Sequence, residues 1–153
     1  MEIEYLKPTL LDIEAMQNLV KEEVANGVIL DRNSNEMATT IRSYTIAKNK
    51  NKIIGFVSLH IHTITLAEIR SLIVNEDFRN RGVGKNLINY AIKEAKNLNV
   101  KEVLTLTYHK EFFEKLGFKE ISKESIPDSK IWVDCIKCKH FPICNEISLI
   151  KEI

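Results

Sequence analysis

The sequence predicts an α+β fold, a mixed sheet with helices on both faces. Three observations lead there. Residues 68–74 are short, apolar and β-branched, as in a buried strand. After a polar stretch at 75–81, apolar residues recur at Val83, Leu87, Ile88, Ala91, Ile92, Ala95 and Leu98, which is helical spacing over about four turns. Earlier, residues 44–48 and 53–61 flank the polar tip Asn49-Lys50-Asn51-Lys52, the pattern of two paired strands. At 153 residues, 44% hydrophobic and 28% charged, the chain is expected to form one domain, 1–153, with a proper core.

The remaining elements follow in order. Residues 3–6 read as a first strand. Thr9 can cap a helix with apolar positions at Ile13, Met16, Val20 and Val24, ended by Gly27. Asn33 can cap a second helix, with Glu36 at the capping-box position. Gly55 marks a bulge or a close backbone approach. Residues 68–74 form the central strand and 82–98 the major helix. Residues 103–108 form the next strand, and 111–116 a short helix ended by Gly117. Residues 118–122 and 146–150 supply closing strands.

Charge and cysteine content set further bounds. The 22 basic and 21 acidic residues nearly cancel, so bulk attraction to nucleic acid or to a membrane surface is not expected. Residues 1–7 mix polar and apolar side chains, unlike a signal peptide, and no apolar run approaches a transmembrane length. Three cysteines fit a reducing, cytoplasmic setting.

The strand, turn and helix at 67–85 suit an anion. The first N–H groups of a helix have no partner within it, and the helix dipole is positive there. Gly82 and Gly84 carry no Cβ, so a phosphate can approach the backbone, and Arg79, Arg81 and Lys85 add full charges. A pyrophosphate is the natural ligand. The bland alternative is a basic helix start that only caps a turn. The spacing matches neither the dinucleotide fingerprint nor a P-loop.

Arg79-Asn80-Arg81-Gly82-Val83-Gly84 resembles the Gln/Arg-x-x-Gly-x-Gly/Ala signature of the GNAT acetyltransferase superfamily. The lead-in Leu72-Ile73-Val74-Asn75-Glu76-Asp77-Phe78 and the stretch Phe112-Phe113-Glu114-Lys115-Leu116-Gly117-Phe118 are similar to two further parts of that pattern. The resemblance covers nearly the whole chain. It implies a GNAT-like, mostly antiparallel sheet and acetyl-CoA as co-substrate. The backbone at Leu72, Ile73 and Val74 would pair with the pantetheine arm. The amides of Asn80, Arg81, Gly82, Val83, Gly84 and Lys85, beside Arg79, would hold the pyrophosphate.

Residues 130–146, with Gly27-Val28-Ile29-Leu30-Asp31-Arg32 and Ala67-Glu68-Ile69-Arg70-Ser71-Leu72, resemble the short amino-acid N-acetyltransferases that make N-acetylglutamate for arginine biosynthesis. Longer relatives carry an amino-acid-kinase-like domain that senses arginine, so that control is not carried over. The Cys-rich segment 130–146 has its own question. Cys135, Cys138, His140 and Cys144 could hold a structural zinc, since thiolate and imidazole are suitable ligands. The spacing departs from paired knuckles, and the alternative is a loop packed by Trp132 and Phe141, or one open to oxidation.

The chemistry implied is attack of a neutral amine on the acetyl thioester. Glu68, at the start of the central strand, stands where the subfamily places its proposed general base. A backbone N–H of Ile73 or Val74 would meet the oxyanion. Many superfamily members place a Tyr where Phe113 stands, and Phe113 cannot donate a proton. Thr107 matches a hydroxyl position in glutamate-acetylating relatives, and Tyr108 is the nearest phenol. A coenzyme A thiolate also leaves without a dedicated acid. Arg32 resembles the arginine that holds the substrate's α-carboxylate, and Arg70 alternates with Glu68 and Leu72 on one strand face. Lys137, Lys139 or His140 would reach a side-chain carboxylate. His60 and His62 read as partly exposed strand residues. The expected partner is a small amino acid, and the protein a monomer or homodimer. Two rival readings stay open: acetylation of another amine (a protein N-terminus, a polyamine or an antibiotic), and a non-catalytic acyl-CoA-binding module.

Overall fold

The structure is a computed structural model; it describes residues 2–26, 32–122, 125 and 147–153. Its strands are β1 (Glu4–Leu6), β2 (Tyr44–Asn49), β3 (Lys52–Ile61), β4 (Leu66–Val74), β5 (Glu102–Thr107), β6 (Lys119–Ile121) and β7 (Ile147–Glu152). Its helices are α1 (Ile13–Leu19), α2 (Lys21–Ala25), α3 (Ser34–Thr39), α4 (Val83–Asn97) and α5 (Lys110–Glu114). The described strands form one sheet in the order β1-β2-β3-β4-β5-β7-β6. Every neighbouring pair is antiparallel except β4 and β5. Among the described residues no helix is long and apolar enough to cross a membrane.

Local chemistry explains most of these elements. Thr9 and Asp12 cap one another's backbone, but the turn they start is a 3-10 turn over Leu10–Asp12 that runs on into α1. The expected single helix breaks at Val20, which leaves helical geometry at φ −105°, ψ 8°, and resumes as α2. Asn33 and Glu36 form the expected capping box of α3. Lys50 and Asn51 both take positive φ, the two-residue hairpin turn whose twist suits antiparallel strands. Gly27, expected to end the first helix, lies outside the described residues.

The sheet separates two apolar layers. On one face α4 buries Val83, Leu87, Ile88, Ala91, Ile92 and Ala95 against Val57, Leu59, Ala67, Ile69 and Val103. Each larger aliphatic there contributes about 1.5–3 kcal/mol of burial. On the other face Ile13 and Met16 of α1 and Met37 of α3 cover Tyr44, Ile46, Phe56 and Ile73.

Two bulges set which side chains face which layer. In β3, Ala47 pairs with Gly55 and Lys48 with Ile53, so Ile54 is the extra residue. A Cβ on Gly55 would lie 2.8 Å from the Ile73 carbonyl oxygen, the close approach expected of this glycine. In β4, Phe56 pairs with Ile73 and Ser58 with Arg70, so Ser71 and Leu72 together oppose Val57. Ser71 takes φ 59°, a left-handed conformation rare for a non-glycine. The bulge overturns one expectation. Leu72 does not share the face of Glu68 and Arg70; it packs with Val74 on the α4 side, while Ile73 turns to the α1 side.

Candidate active site

β4 pairs with β3 along most of its length, but with β5 only through Leu66, Ala67 and Glu68. Beyond Glu68 the ladder stops. The Thr105 hydroxyl donates to the Ile69 carbonyl at 2.9 Å across the point of parting. Past it, β5 pairs with β7 alone. Among the described residues, the edge of β4 from Leu72 to Val74 therefore has no strand on its β5 side. Asn75 N–H donates to the Ile54 carbonyl of β3 at 2.6 Å, and the Ile73 carbonyl also lies on the β3 side. Alternation along a strand then turns the Val74 amide to the open edge. Of the two amides expected to meet an oxyanion, Val74 has the suitable direction and Ile73 has not.

The β4–α4 turn lies at the end of that edge. Asn80 takes φ 63° and Gly82 φ 80°, and Gly82 is the N-cap of α4. A glycine has no side chain to cap the first turn, so Val83, Gly84 and Lys85 present their amides outward. Space is open where a Cβ of Gly82 would stand, whereas one on Gly84 would meet Phe112 at 3.5 Å and Val74 at 3.7 Å. Arg79, Asn80, Arg81 and Lys85 are exposed around this turn. Arg79 Nε donates to the Val74 carbonyl at 3.2 Å, and the Arg81 guanidinium lies 5.7 Å from the Phe78 ring centre. The turn can bind an anion through backbone and charge together.

On the α1 side of the sheet a polar band crosses three strands. Tyr44, Ser58 and Arg70 are cross-strand neighbours, and one step further His60 neighbours Glu68, which neighbours Leu104. Glu68 is only 1% exposed, so the alternative of a solvated strand-edge glutamate does not hold. Its Oε1 lies 2.8 Å from His62 Nε2 and 4.0 Å from an Arg70 guanidinium nitrogen. His60 and His62 are both partly exposed as residues, as expected, but His62 sits just past β3, its side chain is 5% exposed, and its ring meets that of His60 edge-on at 4.7 Å. The available signal was the alternation Ser58, His60, His62, which runs on one face towards Glu68 across the hairpin.

The band leads to an open cavity of about 210 Å³ lined by Gln17, Arg32, Met37, Tyr44, Phe56 and Ser71, among others. The Arg32 carbonyl accepts from Gln17 Nε2 at 3.3 Å, and Asn33 begins the α3 cap, so the chain at Arg32 is held between α1 and α3. Burial pushes the Tyr44 phenol above its ordinary value of 10.0, while the charges of Arg32 and Arg70 and a hydrogen bond with Thr40 pull it down. Of the two expected carboxylate ligands, Arg32 lines the cavity beside Tyr44, and Arg70 is in register with Ser58, the cross-strand neighbour of Tyr44.

Thr107 and Tyr108 stand apart from this band. Thr107 is buried at the end of β5, and its Oγ1 accepts the His109 N–H at 2.9 Å, which leaves the hydroxyl proton to be donated. Tyr108 is 41% exposed. Phe113 packs in the core against Phe112 and Phe118. Cys135, Cys138, His140 and Cys144, with Lys137 and Lys139, lie outside the described residues; no cluster of potential metal ligands occurs among the described ones.

A central strand that parts from its neighbour beside an anion-binding turn, with a buried carboxylate behind it, fits the acyltransferase class that the sequence resembles. The model of the acetyltransferase (GNAT) family matches residues 13–118, and the chain belongs to that family. An uncharacterized N-acetyltransferase of Chlorobaculum tepidum is 37% identical over 144 residues, 94% of this chain and 92% of its own. An amino-acid acetyltransferase of Mycobacterium tuberculosis is 27% identical over 113 residues, 72% of this chain and 64% of its own length. Among solved structures, N-acetylglutamate synthase of Neisseria gonorrhoeae, complexed with coenzyme A and N-acetyl-glutamate, superimposes with a TM-score of 0.87 at 18% identity. That match spans 99% of this chain but 35% of the synthase. At this identity the likeness is one of fold.

Proposed function

We propose that this GNAT acetyltransferase transfers the acetyl group of acetyl-CoA to the α-amino group of L-glutamate. The observation that carries the acceptor is a cavity lined by Arg32 and Tyr44, with Arg70 in register with Ser58 and Tyr44 on the sheet face that also bears Glu68. Two guanidinium groups on that face suit a substrate with two carboxylates, since arginine donates to each in a fork. The amino-acid acetyltransferases among its relatives and the structural neighbour complexed with N-acetyl-glutamate support the same reading.

In this reading the pyrophosphate rests on the amides of Asn80 to Lys85, and the pantetheine arm enters between β4 and β5 along Leu72 to Val74. The acceptor arrives as an ammonium, which has no lone pair and must lose a proton before it can attack. Glu68 takes its proton through a water, as its burial demands. The amine then attacks the thioester carbonyl, and the Val74 amide meets the oxyanion. Collapse expels the thiolate, and the second proton of the attacking nitrogen passes to its sulfur, relayed by the Thr107 or Tyr108 hydroxyl, which takes one proton as it gives another.

The test is CoA release from acetyl-CoA with glutamate, glutamine, aspartate, ornithine, spermidine or a short peptide as acceptor. Release strongest with glutamate is expected. Release only with spermidine or the peptide would overturn the acceptor. Silence with all of them, with acetyl-CoA still bound, would leave a non-catalytic acyl-CoA-binding module.

A further inference from the structure

We infer that His62 is the positioning residue of the general base, and that Glu68 and His62 work as one proton-holding pair. This rests on Glu68 being the base. A carboxylate that is 1% exposed needs partners, because an unpaired buried charge is strongly disfavoured. Two neighbours of that carboxylate, Arg70 and His62, differ in kind. Arg70 stands at 4.0 Å, the outer limit of an ion pair, and is a permanent cation. A carboxylate held by arginine alone would be a fixed anion and a weak base. His62 stands at 2.8 Å, true hydrogen-bond distance, and an imidazole N–H can donate to the carboxylate without adding a permanent charge.

The chain at His62 is built to hold that ring. His62 N–H and Thr63 N–H both donate to the Leu66 carbonyl, at 2.9 and 3.1 Å. The Thr63 hydroxyl oxygen accepts from the amides of Leu66 and Thr65, at 3.0 and 3.2 Å. This short hairpin ties His62 to the first residues of β4, two positions before Glu68. The His60 ring closes on His62 from β3. The charged and titratable groups of the adjoining strands that face the pair are His60 of β3 and Arg70 of β4; β5 faces it with Leu104.

The step balances simply. An N–H bond of the acceptor ammonium breaks, its proton passes through one water, and an O–H bond forms on the Glu68 carboxyl. The ammonium becomes a neutral amine. Nε2–H of neutral His62 donates to Oε1 throughout, fixing the carboxylate, and the pair returns the proton to solvent after turnover.

The experiment compares wild type, His62→Ala, His62→Gln and Glu68→Gln. Turnover is followed over about pH 6 to 9, with the Glu68 carboxyl resonance read in the free protein against Glu68→Gln. His62→Ala should lower kcat about tenfold or more and leave the KM for acetyl-CoA within about twofold. It should also move the acidic limb of kcat/KM to higher pH, because the donor that favours the ionised carboxylate is gone. His62→Gln, whose amide N–H can donate from a similar position, should recover most of kcat. An unmoved limb and an unmoved Glu68 resonance in His62→Ala would overturn the pairing, as would equal losses in the Ala and Gln variants. Failure of the glutamate reading looks different: wild type itself would be silent with glutamate. The same series on whichever amine turns over, with the resonance, then decides His62.

Discussion

Arg32 precedes Asn33, and that adjacency fixes what the arginine can do. Asn33 and Glu36 cap each other across the start of α3, so the backbone at Arg32 enters the helix at a set angle beside the cavity. A hydrogen bond to a charged group contributes about 1.5–3 kcal/mol. Arg32→Ala should therefore raise the KM for glutamate tenfold or more and leave the KM for acetyl-CoA near wild type, measured by steady-state CoA release. An unchanged glutamate KM would place the carboxylate elsewhere. At this scale the sequence was partly legible. The capping box could be read from residue types and spacing, and Glu68 was singled out by the resemblance at its position. The alternation that aims His62 at Glu68 was visible too, but their contact was not, because it depends on a hairpin register that brings residues six apart together.

At the scale of elements, the site depends on one bulge and one helix start. Ser71 in a left-handed conformation lets β4 change which face its residues present. The turn into α4 was legible because glycines, cations and a change of hydrophobic period all fall together in the sequence. The bulge was not, since bulges of this kind usually carry a glycine and this one carries serine. A strict alternation therefore put Leu72 on the wrong face. The break at Val20 was hidden for a similar reason: the apolar positions keep helical spacing through it. The helix start carries its own prediction. Gly82→Asp adds a Cβ at φ 80° and sets a carboxylate where an anion is to bind. Strain of about 1–2 kcal/mol is expected from the backbone alone. Acetyl-CoA affinity should fall at least tenfold by calorimetry, with far-ultraviolet dichroism unchanged. Wild-type affinity in a folded variant would remove the pyrophosphate from this turn.

Across the whole molecule the sheet divides two layers with different duties. The α4 side is apolar and carries the larger core, while the α1 side yields part of its core to the polar band and the cavity. The fold class was legible because that division is written in composition and period. Where the band runs was not, because it depends on cross-strand pairing. Tyr44 belongs to both duties: it packs edge-on against Phe56 in the core and lines the cavity with its neighbours. That makes it a link between global stability and pH. Burial raises the folded-state value of the phenol above 10.0, against the pull of Arg32, Arg70 and Thr40. The folded chain then keeps this proton to higher pH than the unfolded chain does. Its contribution to stability is complete below 10.0 and is lost as pH rises through the raised value. One proton changes stability by at most about 1.4 kcal/mol per pH unit. Urea unfolding of wild type and Tyr44→Phe at a series of pH values from about 8 to 11 reads this term as a difference, because other titrating groups are common to both. Wild type should lose stability more steeply than Tyr44→Phe above pH 10.0, the two running parallel below it. Parallel curves throughout would mean that the Tyr44 hydroxyl is open to solvent, and the buried phenol beside Arg32 would drop out of the acceptor cavity.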